Sequence, residues 1–321
     1  MIKPSFYDPT KVGTLFLPRI HDVEKEADVL SLTASAKDSI GNRVALMIID
    51  MQIDFCHQNG TLYVPGAEDD IRRLVDFILR EMGAITSTFA SLDSHLIFQI
   101  FFRSWWQLLN GQKPELFTEI YKNTPSNKHA FAKSITDGDV RPTTDPVNSI
   151  DYTEKLQQQA NKALCIWPYH TMLGTPGQAL DPALFEVLAY HAFARKTQLN
   201  FLQKGQIPQT EMYGILCPEV KIPKHTQGGF NTDFLNLLMK HDKVIIAGQA
   251  ASHCVLASIL QIHDYFKNDK DTLSKIYILE DCMSPVKHPA IDFAAITKLQ
   301  FDKFRNSGIN IVKSTDLKLA A

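Results

Sequence analysis

Cysteine, aspartate and lysine can together make an activated nucleophile, and this chain carries one of each at or just beyond the end of a strand-like run. Cys254 lies in Val244-Ile-Ile-Ala-Gly-Gln-Ala-Ala-Ser-His-Cys-Val-Leu-Ala-Ser258. There a short β-branched run, Val244 to Ala247, is broken by Gly248 and gives way to helical spacing at Val255, Leu256, Ile259 and Leu260. Ser252 reads as the helix N-cap. Cys254 then falls in the first helical turn, where unpaired N–H groups and the helix dipole favour a thiolate. The plain alternative is a small buried cysteine that fills space. Asp50 ends the apolar run Val44-Ala-Leu-Met-Ile-Ile-Asp50, and Lys204 follows the run Thr197 to Gln203. A free thiol with a pKa of about 8.5 is only about 3% ionised at neutral pH. A carboxylate that takes its proton and an ammonium that stabilises the thiolate would activate it. The same acid could hand the proton on to an amine leaving group.

Asp93-Ser-His95, with His170 in Trp167-Pro-Tyr-His170, forms a second cluster. Carboxylate oxygen and imidazole nitrogen suit a divalent Zn, Fe or Mn ion, and three protein ligands leave positions open for water or substrate. Two residues apart on an extended segment, Asp93 and His95 point to one side. The competing reading is a hydrogen-bonded polar cluster without metal. His57 is a weaker ligand candidate. His253 is a weaker candidate base, because adjacent helical residues point in different directions. Asp54 and Lys196 are the nearest rivals of Asp50 and Lys204.

The elements that would bring these residues together alternate between strand and helix. Strands are expected at 44–50, 85–92, 197–203, 244–247, 276–279 and 310–312, with helices at about 67–82, 149–160, Thr175 to 193, 230–240 and 290–307. That alternation predicts an α/β protein with three α/β/α layers around a doubly wound, mostly parallel six-stranded sheet. Ligands of such sheets sit at the carboxyl ends of the strands. Residues 1–42 read as an N-terminal extension and 43–321 as one domain. An inserted excursion at about 96–163 is too long to be a plain loop. Trp105 and Trp106, inside it, read as core or lid packing.

The chain has 321 residues and a net charge of -2, so it lacks the basic footprint of a nucleic-acid binder. No apolar run reaches the roughly 18 to 20 residues that span a bilayer, and Met1 onward lacks a secretory core. The five cysteines are scattered, odd in number and without metal-type spacing, which points to a reduced, cytoplasmic setting. Cys56, Cys165, Cys217 and Cys282 read as inert.

Taken together, Asp50-Met-Gln-Ile-Asp-Phe55, Leu62-Tyr-Val-Pro-Gly66, Asp93-Ser-His95, Trp167-Pro-Tyr-His170 with Gly174-Thr-Pro-Gly177, Lys204-Gly205 with Tyr213, and Gly248-Gln-Ala-Ala-Ser-His-Cys-Val255 follow one known order. The chain resembles the nicotinamidases and the wider isochorismatase-like cysteine hydrolases. The resemblance implies the isochorismatase-like hydrolase fold, with Cys254 as nucleophile, Asp50 as general base and acid, and Lys204 completing the triad. It implies a divalent metal on Asp93, His95 and His170, and a cis peptide at Gln249–Ala250 that helps form an oxyanion hole. Phe55 and Trp167 would sandwich a flat ring, with Tyr213 also at the substrate. Homo-oligomerisation is common among these proteins. The chain departs from them at Ser94, at Ala251-Ser252 and at Tyr213-Gly214, and its excursion is longer than in compact nicotinamidases.

The expected activity is hydrolysis of nicotinamide or a similar small amide through a cysteine thioester. Two alternatives are a hydrolase of the same fold acting on a carbamoyl, ureido or enol-ether compound, and a catalytically silent binding protein.

Overall fold

The computed structural model describes residues 3–30, 32, 41–126, 128–160, 162–287 and 291–319. Six strands form one sheet: β1 (Val44–Ile49), β2 (Ser87–Asp93), β3 (Leu199–Lys204), β4 (Lys243–Gly248), β5 (Ile276–Leu279) and β6 (Asn310–Val312). Their spatial order is β6-β5-β4-β1-β2-β3, and every neighbouring pair is parallel. All six side chains of β1 are buried, as expected of a central parallel strand covered on both faces.

The principal helices are α1 (Ile20–Val29), α2 (Ala67–Glu81), α3 (Pro146–Ala160), α4 (Pro182–Arg195), α5 (Thr232–Met239), α6 (Leu256–Tyr265) and α7 (Phe293–Ser307). The two-residue period of β1 divides them. Val44, Leu46 and Ile48 share a core with α2, α4 and the N-terminal residues Phe6, Val23 and Ala27. Ala45, Met47 and Ile49 share the opposite core with α5, α6 and α7. The result is the expected three-layer α/β/α architecture.

Two local expectations are corrected. Thr175-Pro-Gly177 opens only a single 3-10 turn, Pro176–Gln178. The long helix starts at Asp181-Pro182, where the Asp181 carboxylate accepts from the amides of Ala183 and Leu184 and proline occupies the first turn, a stronger start signal than Thr175. Ser252 is not an N-cap: Ala250 is, and residues 251–255 form one π-helical turn leading into α6. The Ser252 hydroxyl instead meets His253 Nδ1 at 2.8 Å and accepts from Val286 N–H at 3.0 Å.

The excursion folds on itself. Residues 106–108 pair antiparallel with 140–142, and 119–121 lies between 132–134 and 164–165. With α3 they enclose a third core that includes Phe101, Phe102, Trp106, Ile120 and Leu156. Trp105 and Trp106 are both buried, with indole N–H groups bonded to Ser149 Oγ and the Ile100 carbonyl, which is the packing role expected. None of the described helices is long and apolar enough to cross a membrane.

Candidate active site

The parallel register brings four strand ends to one edge. Asp50 follows β1, Asp93 closes β2 directly opposite Lys204 of β3, and Cys254 lies in the turn beyond β4. Asp50 adopts φ +47°, in the left-handed region, which aspartate tolerates better than most residues.

The Lys204 ammonium is fully buried. It lies 2.9 Å from Asp50 Oδ2, 3.1 Å from Asp93 Oδ1, 3.1 Å from the Met212 carbonyl and 3.8 Å from Cys254 Sγ. The reactive atoms of Asp50, Asp93 and Cys254 lie within 4.8 Å of one another. Sulfur, acid and amine therefore meet in one buried cluster. The rivals stand elsewhere. Asp54 is spent on the backbone amides of Thr61 and Thr171. Lys196 caps α4, 3.5 Å from Asp28. His57 pairs with Asp181 at 3.0 Å.

Electrostatics overturn one expectation. Burial pushes the Cys254 thiol well above its ordinary range, and although Lys204 pulls it down, Asp50 and Asp93 push it further up. The turn position alone suggested a ready thiolate, but desolvation outweighs it. Burial likewise raises Asp50, with Lys204 opposing and Asp93 adding to the rise. For Lys204 burial favours loss of the proton, yet the two facing carboxylates outweigh it and hold the ammonium charged. Burial thus favours the neutral thiol and makes the Asp50 carboxylate more basic, with the Lys204 cation between them.

Beside it, donor atoms of Asp93, His95 and His170 lie within 4.8 Å of one another, all buried. His95 Nδ1 meets the Gly205 carbonyl at 3.1 Å, and His170 Nδ1 meets the Pro168 carbonyl at 2.7 Å. Each ring is thereby oriented by a backbone acceptor with Nε2 on the far side, the usual outer-shell arrangement of metal-binding histidines. Burial, with His95 adding to it, pushes His170 down to about 4, so it is a neutral donor at neutral pH. The donor set fits a divalent cation. Glycine is required at 205: φ is +81°, and a Cβ there would stand 2.6 Å from Asp93 Oδ1 and 2.8 Å from the His95 ring.

The Gln249–Ala250 peptide is cis. Gln249 donates to Asp70 Oδ2 at 2.8 Å and accepts from Ser284 N–H at 3.3 Å. Ala250, Phe55, Trp167 and Tyr213 line a small cavity that also reaches Cys254, His95 and His170. His253 is on its wall too, its ring 5.6 Å from that of Trp167.

Three participants escaped the sequence reading. Ser91 donates to Asp50 Oδ1 at 2.6 Å; a serine set between Ala90 and Leu92 in β2, two residues before Asp93, was the available sign. Glu211 is buried in the cavity wall, accepting from Tyr213 at 2.6 Å and Tyr152 at 2.8 Å. Asp70, which holds Gln249, is one of three acidic residues in the first turn of α2, and nothing local sets it apart from Glu68 and Asp69.

No protein-family profile matches the sequence, and no curated protein matches it. Solved structures do match. The yeast nicotinamidase Pnc1p superposes with a TM-score of 0.54 at 19% identity, over 84% of this chain and 99% of that one. Its complex with the inhibitor nicotinaldehyde gives 0.52 at 18% identity, over the same shares. An Acinetobacter baumanii nicotinamidase/pyrazinamidase gives 0.53 at 18% identity, over 86% of this chain and 99% of that one. At such identities the likeness is one of fold.

Proposed function

We propose that this chain is a cysteine amidohydrolase of nicotinamidase type, acting on nicotinamide or a similar small amide. The observation that carries the reading is the Lys204 ammonium held between the Asp50 carboxylate and the Cys254 sulfur, at 2.9 and 3.8 Å, beside the cavity. A shared fold with nicotinamidases adds to it.

In this reading Asp50 takes the proton of Cys254 Sγ as the sulfur attacks the amide carbon. Proton transfer and attack proceed together, because neither a resting thiolate nor a strongly acidic Asp50 suits so buried a site. Lys204 stays protonated and stabilises the developing charge. The amides of Ala250 and Cys254 hold the oxyanion. Protonated Asp50 then gives its proton to the amide nitrogen, the C–N bond breaks, and ammonia leaves a thioester. Asp50 next accepts a proton from water as the water oxygen attacks; the C–S bond breaks and the proton returns to sulfur. Asp93, His95 and His170 would hold a divalent metal, which when bound supplies Lewis acidity and an ordered water. Phe55, Trp167 and Tyr213 flank the substrate.

The test is ammonia release from nicotinamide, with mass spectrometry of the quenched enzyme for an acyl group on Cys254. Cys254→Ala should abolish both and leave the melting temperature unchanged. Near-normal turnover in that variant rules the reading out.

A further inference from the structure

The cavity beside Cys254 measures about 40 Å³. An apolar cavity that holds a benzene-sized ring is nearer ~150 Å³. With these side-chain positions the inner space alone does not contain a ring flanked by Phe55, Trp167 and Tyr213, so such a ring lies at the Trp167 and Tyr213 boundary with the space beyond. A second cavity of about 350 Å³ adjoins it, and Trp167, Tyr213, His253 and Val286 line both. The partition is aromatic: the His253 ring lies 5.6 Å from Trp167 and 5.9 Å from Tyr213, and the Trp167 indole donates to Tyr213 OH at 2.9 Å.

The outer cavity has two kinds of wall. Phe117, Tyr121 and Cys165 come from the excursion and its last strand, while Leu256, Ala257 and Leu260 come from the helix that follows the nucleophile. Its charged groups are already engaged. Glu119 accepts from Tyr121 at 2.8 Å and lies 2.9 Å from His129, and Lys162 pairs with Glu219 at 2.6 Å. Such walls favour an uncharged, apolar group.

Direction follows from the mechanism. The leaving nitrogen must face Asp50, which is fully buried against Lys204 and lines neither cavity. A substituent on nitrogen has no space there. None of Asp50, Asp93, His95, His170, Lys204 and Cys254 borders the outer cavity, so whatever fills it hangs from the acyl side of the amide.

Resting on the amidohydrolase reading, we propose that the outer cavity is a substrate subsite, and that the preferred substrates are primary carboxamides of aromatic acids bearing an uncharged apolar arm on the acyl side. The excursion is then a specificity element, since it supplies one wall of the subsite.

The experiment measures equilibrium binding to the Cys254→Ala protein, so that its outcome does not depend on turnover. The probes are nicotinamide, a ring-phenylated nicotinamide and the N-phenyl amide of nicotinic acid. The ring-phenylated compound should bind about tenfold or more tightly than nicotinamide, the gain expected for burying one aromatic ring. The N-phenyl compound should gain nothing. Filling the subsite by Ala257→Trp, or more gently by Ala257→Leu, should collapse the preference toward one. A parent ratio near one, a preference for the N-phenyl compound, or a ratio unmoved in both folded filling variants overturns the proposal. Ammonia release by the Cys254 protein is scored separately. Its absence across the whole panel would count against the amidohydrolase reading, while the binding ratio still decides the subsite.

Discussion

The Ser91 hydroxyl donates to Asp50 Oδ1 at 2.6 Å and accepts from the Asp50 amide at 3.2 Å. This reciprocal pair, across adjacent strands, fixes the carboxylate so that its other oxygen faces Lys204 at 2.9 Å. The base is therefore held from both sides before any substrate arrives.

Ser91→Ala should weaken turnover more than binding. A hydrogen bond to a charged group contributes about 1.5–3 kcal/mol, which corresponds to a fall in kcat of about 10- to 100-fold. The pH profile should move as well. The Ser91 hydrogen bond lowers Asp50 against the upward push of burial. Without it Asp50 rises further, and because Asp50 must be ionised to take the thiol proton, the acid limb of kcat/KM should shift to higher pH. An unmoved limb would show that Ser91 is only packing.

Gly177→Ala should destabilise the fold and disturb the His170 loop. A Cβ at 177 would overlap the Asp54 carboxylate. That carboxylate is held by the amides of Thr171 at 2.7 Å and Thr61 at 3.2 Å, so it cannot simply swing away. Overpacking of this kind costs about 1–3 kcal/mol. The expected result is a lower melting temperature together with weaker binding of divalent metal, since Thr171 adjoins His170. An unchanged melting temperature would mean that Asp54 relocates freely.

The central strands were legible because their runs are buried on both faces and so read as apolar blocks: 44–49 and 244–247 were found almost to the residue. The excursion was not, because its strands are two or three residues long and too short to show a period. Residue types at strand ends identified Asp50, Asp93, Lys204 and Cys254 as a group that converges. Ser91 meets Asp50 from 41 residues away, and Glu211 joins Tyr152, 59 residues away, to the nearby Tyr213; no local pattern encodes the long-range pairings. The thiol's direction was misread for a related reason: burial is a tertiary property that local turn geometry does not contain.

Glu211→Gln should flatten the dependence of stability on pH. Burial raises Glu211 from an ordinary 4.5 to about 7, although Tyr213 and Tyr152 donate to it and oppose the rise; Glu219 adds to it and Lys162 opposes it. The folded protein thus holds a proton that the unfolded chain releases. The associated stability is fully present below about 4.5 and is lost as the pH climbs through about 7. The full loss is roughly 3 kcal/mol, since each tenfold change in proton affinity is worth about 1.36 kcal/mol. Urea unfolding at pH 5 and pH 8 should show the parent losing stability relative to the glutamine variant. Parallel pH curves would place the titration of Glu211 elsewhere.

Lys204→Met removes the cation and leaves its volume nearly filled. Asp50 and Asp93 then face one another without the ammonium 2.9 and 3.1 Å away. Removing one partner from a buried ion pair costs about 3–5 kcal/mol. The two acids, both of which Lys204 pulls downward, should move up in the folded variant. A raised folded value means that the extra stability is present below the ordinary 3.8 and disappears as pH rises through the new value. The deficit against the parent should therefore be largest near pH 8 and shrink toward pH 5, as one carboxyl regains a proton. Denaturant titrations across that range measure it directly. A deficit that is the same at both ends would mean that another cation reaches the two carboxylates, and the ammonium could not then be the group that holds Asp50 beside the Cys254 sulfur.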